Sequence, residues 1–362
     1  MDNMIPVTKP FLPPIEEYQQ LLADIWQRQW LTNNGPLVNE LELKLKDYLG
    51  LPHVLYVNNG TIALQIAIKA LGLTGEIITT PFSYVATTSS IVWEGCKPVF
   101  VDIHPETFNI DPQKIEAAIT PNTSAILATH VYGNPCDIEA IDRTAKKHNL
   151  KVIYDAAHCF GTTYKGKSVF AYGDISTTSF HATKIFHTVE GGALFSNDPE
   201  LIKKMAFMRN FGHAGPEEFA EVGINGKNSE FHAAMGIVNL KYMAPIFEKR
   251  KAQCLHYQQW LKHPQIKFLT LTKEANYNYA YMPIMVESEE LAVSIITILE
   301  RSLISPRRYF YPALNTVSLY KSHPTPNCES IAKRIICLPL YHSLTNTEID
   351  MICRIILRTL NN

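Results

Sequence analysis

From residue 54 to residue 196 short apolar runs alternate with amphipathic stretches, and this alternation leaves the chain few ways to fold. Val54-Leu55-Tyr56-Val57 reads as a strand, and Ile62 to Leu71 as a helix. Further strands are predicted at Ile77–Thr80, Pro98–Ile103, Ala125–His130, Lys151–Asp155, Ile175–Phe180 and Ala193–Ser196. Helical spacing falls at Ile115–Ile119 and Ile138–His148. The strands are short, continuously apolar and rich in β-branched residues, as expected where both faces of a sheet are covered. Alternating with helices, they imply an α/β fold with a mostly parallel sheet and crossover helices.

The C-terminal part reads differently. A long helix is predicted from Ser229 to about Leu261, kinked or broken at Pro245. Tyr277 to Val286 alternates as a strand, Glu290–Arg301 is helical, Ile335–Leu338 is a strand and Thr345–Leu360 closes as a helix. This is a smaller α+β domain. With 362 residues, two domains are expected, 1–245 (large, with the N-terminal segment) and 246–362 (small).

The formal net charge is -1 and the densest basic cluster is Lys249-Arg250-Lys251, which reads as a solvated helix face. A nucleic-acid partner would call for a basic stripe, so none is expected. The seven cysteines include no C-x-x-C pair and no histidine pattern that completes a metal site. They read as reduced core residues of a cytoplasmic protein. Asp2 interrupts any secretory signal pattern, and no apolar run approaches the roughly 20 residues of a membrane span.

Two positions carry the chemistry. Val152-Ile153-Tyr154 runs into Asp155, and Lys184 ends Ser179-Phe180-His181-Ala182-Thr183-Lys184, with Glu190-Gly191-Gly192 beyond. An acid ending one strand and a lysine following a later one suit pyridoxal 5′-phosphate (PLP). The amine bonds the cofactor aldehyde and the acid faces the pyridine nitrogen. A carboxylate there favours the protonated ring, which accepts electrons from a substrate carbanion. By itself Asp155 also reads as a turn aspartate, and most lysines are surface residues. The apolar approach to Lys184 and the glycine turn after it argue against a surface role.

Other residues are read around this pair. Asn58-Asn59-Gly60-Thr61 lies between a strand and a helix, where free N–H groups and a glycine form an anion site. Thr61 reads equally as a helix cap. Tyr84, in Pro81-Phe82-Ser83-Tyr84, is either a stacking platform for a flat ring or a core aromatic. His158 either positions a cofactor or is a satisfied structural histidine. Ser179 is either a phosphate ligand or a loop hydroxyl. Asn225-Gly226 is a turn signal, with Asn228 or Ser229 capping the helix that follows.

The ordered set resembles the DegT/DnrJ/EryC1/StrS family of sugar aminotransferases, from about Pro6 to Ile356. The motifs are Asn59-Gly60-Thr61-x-Ala63-Leu64, Pro81-x-x-Tyr84, Asp155-Ala156-Ala157-His158, Ser179-x-x-x-x-Lys184 and Glu190-Gly191-Gly192. Gly223-x-Asn225-x-Lys227-x-Ser229-Glu230, Tyr311-Pro312 and Leu338-Pro339-Leu340 continue it. The resemblance implies an aspartate aminotransferase-like (PLP fold type I) large domain and a homodimer with shared active sites. It implies that Gly60, Thr61 and Ser179 hold the phosphate, Tyr84 the ring and Asp155 the ring nitrogen. Asn225 is implied to reach the phosphate of the neighbouring subunit's cofactor. Relatives usually carry arginine at Lys227, and lysine lacks the planar fork, so no arginine role transfers.

Within the family, His181-Ala182-Thr183-Lys184 and Trp30-Leu31-Thr32-Asn33-Asn34-Gly35 resemble members that aminate a nucleotide-linked (dTDP) 4-keto-6-deoxyhexose. The implied donor is L-glutamate, with pyridoxamine phosphate formed during turnover and Lys184 moving the proton. The implied pathway is O-antigen or another amino-sugar route. Asn33 and Tyr311 are candidates for the sugar site. A 3-keto-6-deoxyhexose is the alternative substrate. A sugar dehydratase of this scaffold is implied to carry histidine at the Lys184 position. A lyase or aldolase would need no nucleotide sugar, and a non-enzymatic regulator would carry no yellow cofactor.

Overall fold

The computed structural model describes residues 4–361. Its centre is a seven-stranded sheet. From edge to edge the strands are Leu55–Val57, Gly192–Phe195, Ile175–Ser179, Lys151–Asp155, Thr123–Thr129, Glu76–Thr79 and Lys97–Phe100. Neighbours pair in parallel, except that Gly192–Phe195 runs antiparallel to both strands beside it.

Strand residues alternate between two apolar cores, one on each face. Ile77, Leu127, Ile153 and Ile175 pack with Ala63, Leu64 and Ala67 of the helix Gly60–Ala70. Ile78, Ile126, Val152 and Tyr154 pack on the other side with Leu37, Val38 and Leu41 of the helix Pro36–Leu49. This double coverage explains the unbroken apolar runs in the sequence.

Two predicted elements are corrected. The long helix is two, Glu230–Leu240 and Met243–Trp260. The break falls at Lys241-Tyr242, and Pro245 lies in the first turn of the second helix, where a missing N–H has no partner to lose. The strand at 277–286 shortens to Met282–Val286, and all five residues are buried rather than alternating. It is the middle strand of three, between Ile266–Phe268 and Ile335–Leu338. Met282, Ile284 and Val286 face the helices Glu289–Arg301 and Asn346–Leu360, while Met285 faces a cluster with Phe108, Val131 and Cys337.

The helix Met243–Trp260 is shared between the two halves: Met243 and Ile246 enter the large-sheet core, Cys254 and Tyr257 the small-sheet core. A boundary at 245 is kept as a proposal. Near the N-terminus, Ile5–Pro6 pairs in parallel with Ile304–Ser305, so Ile5 packs in the small-sheet core. All seven cysteines are buried and free. Among the described residues no helix is long and apolar enough to cross a membrane.

Candidate active site

The strands ending at Asp155 and Ser179 stop at the carboxyl edge of the parallel sheet, where crevices of open α/β sheets form. There the chain encloses a cleft of about 350 Å³. Gly60, Thr61, Tyr84, Asp155, His158, Ser179 and Lys184 all line it.

One wall is the N-terminus of the helix Gly60–Ala70. Asn59, not Thr61, caps it: Ile62 N–H donates to Asn59 Oδ1 at 2.8 Å, and Ala63 N–H to the Asn59 carbonyl at 3.2 Å. The N–H groups of Gly60 and Thr61 are left at the cleft, beside Ser179. Backbone and strand approach so closely here that side chains are excluded. A Cβ on Gly60 would lie 2.8 Å from the Ser179 Cβ, and one on Gly192 would lie 2.6 Å from the Asn59 carbonyl carbon. Two N–H groups and a hydroxyl at a helix start suit an anion.

Asp155 is buried, and both carboxylate oxygens accept hydrogen bonds. Thr87 Oγ1 donates to Oδ2 at 2.6 Å, and the Ala157 N–H donates to Oδ1 at 3.1 Å. Burial pushes this carboxyl up, against the Thr87 hydroxyl, the Ala157 N–H and the Lys184 charge. A buried carboxylate of this kind suits a protonated ring nitrogen.

Lys184 is half-buried and follows a tight turn in which its N–H donates to the His181 carbonyl at 2.8 Å. Burial lowers its amine to about 8, with Asp155 pulling the other way. Such an amine is nucleophilic near neutral pH. The His158 Nδ1 accepts the Tyr132 N–H at 3.2 Å, so the ring proton sits on Nε2. Burial, then the Lys184 charge, hold His158 well below the usual histidine range, so it is neutral.

Three predicted residues are absent from this cleft. Asn33 is exposed between two helices with φ of 62°. Asn225 is exposed, and its carbonyl accepts from Asn58 Nδ2 at 3.4 Å. Tyr311 is exposed and lies under the Arg308 guanidinium, 3.5 Å from the ring centroid. Conversely, Tyr281, Tyr309 and Phe310 line the cleft and were not foreseen. In sequence they look like core aromatics. Thr87 gave no signal beyond a hydroxyl near a helix start. Among the described residues no group of His, Cys, Asp or Glu is arranged to hold a metal ion.

Comparison with known proteins agrees with this geometry. The family model described as DegT/DnrJ/EryC1/StrS aminotransferase matches residues 14–357. A Shigella dysenteriae protein named dTDP-4-amino-4,6-dideoxy-D-glucose transaminase is 44% identical over 360 residues, covering 97% of this chain and 98% of its own. The crystal structure of DesI in the presence of its TDP-sugar product superposes with a TM-score of 0.94 at 30% identity, covering 99% of this chain and 94% of that one. The PLP form of Spr1654 from Streptococcus pneumoniae, a sugar aminotransferase by description, gives 0.92 at 26% identity, covering 99% of both chains. The chain therefore belongs to the DegT/DnrJ/EryC1/StrS aminotransferase family and is a PLP-dependent aminotransferase.

Proposed function

We propose that this enzyme moves the amino group of L-glutamate to C4 of a dTDP-linked 4-keto-6-deoxyhexose, giving dTDP-4-amino-4,6-dideoxyglucose. The observation that carries this reading is the 44% identity, along almost the whole of both chains, to the Shigella transaminase of that name.

PLP, when bound, supplies a carbonyl carbon that holds an amine and a ring that accepts electrons. The donor set of the cleft fits that group. Gly60, Thr61 and Ser179 would hold its phosphate, Tyr84 would cover its ring, and Asp155 would keep its ring nitrogen protonated. His158, with its proton on Nε2, offers a further donor to the cofactor. Lys184 Nζ would anchor the cofactor, then carry the proton from the glutamate α-carbon to the cofactor's 4′ carbon, and in the second half-reaction from that carbon to C4 of the sugar. The cleft walls from Tyr281, Tyr309 and Phe310 would limit water at this atom once the cofactor is bound.

Asn225 would reach the cofactor phosphate of a neighbouring subunit, in keeping with its exposure and its absence from the lining of its own cleft. Asn33 and Tyr311 would contact sugar by the same sharing. The working form is a cytoplasmic homodimer that makes an amino sugar for O-antigen or a related glycan.

The test is incubation with glutamate and a panel of nucleotide-linked 3-keto and 4-keto sugars, with NMR to locate the new nitrogen. Nitrogen at C4 of the dTDP sugar is expected. Nitrogen at C3, or preference for another nucleotide, overturns the substrate assignment. Borohydride should fix the cofactor to Lys184, and a label elsewhere overturns the site.

A further inference from the structure

Three buried hydroxyls run in an unbroken line to Asp155. Thr87 Oγ1 donates to Asp155 Oδ2 at 2.6 Å, the Ser83 and Thr87 hydroxyls lie 2.7 Å apart, and Thr129 Oγ1 donates to Ser83 Oγ at 3.0 Å. None is more than 3% exposed. They come from three places in the chain: the turn before the helix Val85–Trp93, the first turn of that helix, and the end of the strand Thr123–Thr129.

Each hydroxyl has one proton to give. An ionised Asp155 has none, so Thr87 must direct its proton at the carboxylate. Thr87 can then only accept from Ser83, and Ser83 from Thr129. The charge on one acid thus sets the direction of all three bonds, and each bond polarises the next. A proton on Oδ2 would compete with the Thr87 proton or reverse the line, and a proton on Oδ1 would leave only a weaker, uncharged hydrogen bond from Thr87.

We infer that Thr87, backed by Ser83 and Thr129, is a positioning relay that keeps the buried Asp155 ionised and oriented for the PLP ring nitrogen. This rests on the cofactor assignment above. The relay answers a specific difficulty. Burial is the largest influence on the Asp155 carboxyl and favours its neutral form, and the Thr87 hydrogen bond is the largest influence opposing it. The Lys184 charge comes last in that order and disappears whenever the amine is neutral.

Thr87→Val replaces the hydroxyl with a methyl of similar volume. Two readouts separate a relay from mere packing: the titration of the Asp155 carboxyl, followed by carbon-13 NMR in the cofactor-free protein, and the PLP dissociation constant. The expected result is a titration moved upward by about one pH unit and PLP binding weakened by up to about tenfold, the full loss appearing at pH values below that titration, where binding must ionise the carboxyl. Thr129→Val should move both in the same direction by less, and Thr87→Ser should restore both. In an Asp155→Asn background Thr87→Val should leave PLP affinity unchanged. An unmoved carboxyl titration, or an equal loss of affinity in the Asp155→Asn background, overturns the relay. Should Thr87→Val not fold, Ser83→Ala and Thr129→Val carry the same comparison. Failure of the cofactor assignment has a separate signature, since the unaltered protein would then bind no PLP while the carboxyl titration still reported on the relay.

Discussion

Lys184 must attack a carbonyl as a neutral amine and later carry a proton, and no ordinary lysine does both near neutral pH. The cleft resolves this by burial, which lowers the amine to about 8. About a tenth is then neutral at pH 7, against fewer than roughly one in a thousand for an unperturbed lysine. The reactive form is the neutral one, so capture of PLP by cofactor-free protein should quicken about tenfold per pH unit below 8 and level off above it. Stopped-flow absorbance measures this, with Lys184→Ala giving the reversible background. A rise that continues past pH 10 would mean the amine is not buried as described. The same group contributes to stability with a definite sign. Its folded value lies below its unfolded one, so the full penalty of burying the ammonium is present below pH 8. That penalty is relieved as pH climbs from about 8 to about 10.4.

Elements in this chain are completed by residues far away in sequence, and the helix Pro36–Leu49 is the clearest case. It has no side-chain cap of its own. Its free N–H groups are met by Glu230, whose Oε2 accepts from Leu37 and Oε1 from Val38, both at 2.9 Å. Glu230 is fully buried, Arg28 approaches it at 3.7 Å, and a Cβ on Gly35 would lie 2.6 Å from its Cδ. An anion at a helix N-terminus is favoured by both the hydrogen bonds and the dipole. Glu230→Gln keeps the shape but turns an NH₂ toward a donor, and should cost about 1–3 kcal/mol in urea unfolding. A change below about 0.5 kcal/mol, the range of an ordinary surface substitution, would remove Glu230 from this role.

What sequence could and could not disclose follows the same division. Ile138–His148, Lys151–Asp155 and Ile335–Leu338 begin and end where local pattern places them. Asp155 was legible because it ends an apolar strand, and Lys184 because it follows one, five residues beyond Ser179. Pro245 misled because its effect depends on where the preceding helix stops. The buried run Met282–Val286 misled because a second core covers its other face. Tyr281, Tyr309 and Phe310 were invisible because only the meeting of the two halves turns core aromatics into cleft walls. Asn33, Asn225 and Tyr311 rest on family resemblance, and the fold of a single chain does not bring them to the cleft.

At the scale of the whole molecule, this single chain leaves apolar surface near its own site. Tyr84 is 61% exposed and Trp93, on the helix that follows it, 81%. The segment before Asn225 adds exposed Phe211, Phe219, Val222 and Ile224. Such side chains would suit an interface if they form one patch, and a symmetric dimer built on it would cover the same surface on both copies. If such a dimer passes Asn225 from one subunit into the cleft of the other, two inactive variants should rescue each other. Lys184→Ala and Asn225→Ala each disable the site in their homodimers. In the mixed dimer, one cleft carries both lesions and the other carries neither. Equal mixing by refolding or co-expression makes half the dimers mixed, so about one quarter of the wild-type sites should work. If Asn225 serves the cleft of its own chain, mixing creates no intact site, and turnover stays at the mean of the two variants. A tagged-pair purification followed by an assay of the mixed species alone distinguishes the outcomes: half of wild-type turnover per dimer for a shared site, none above the parental background for a private one.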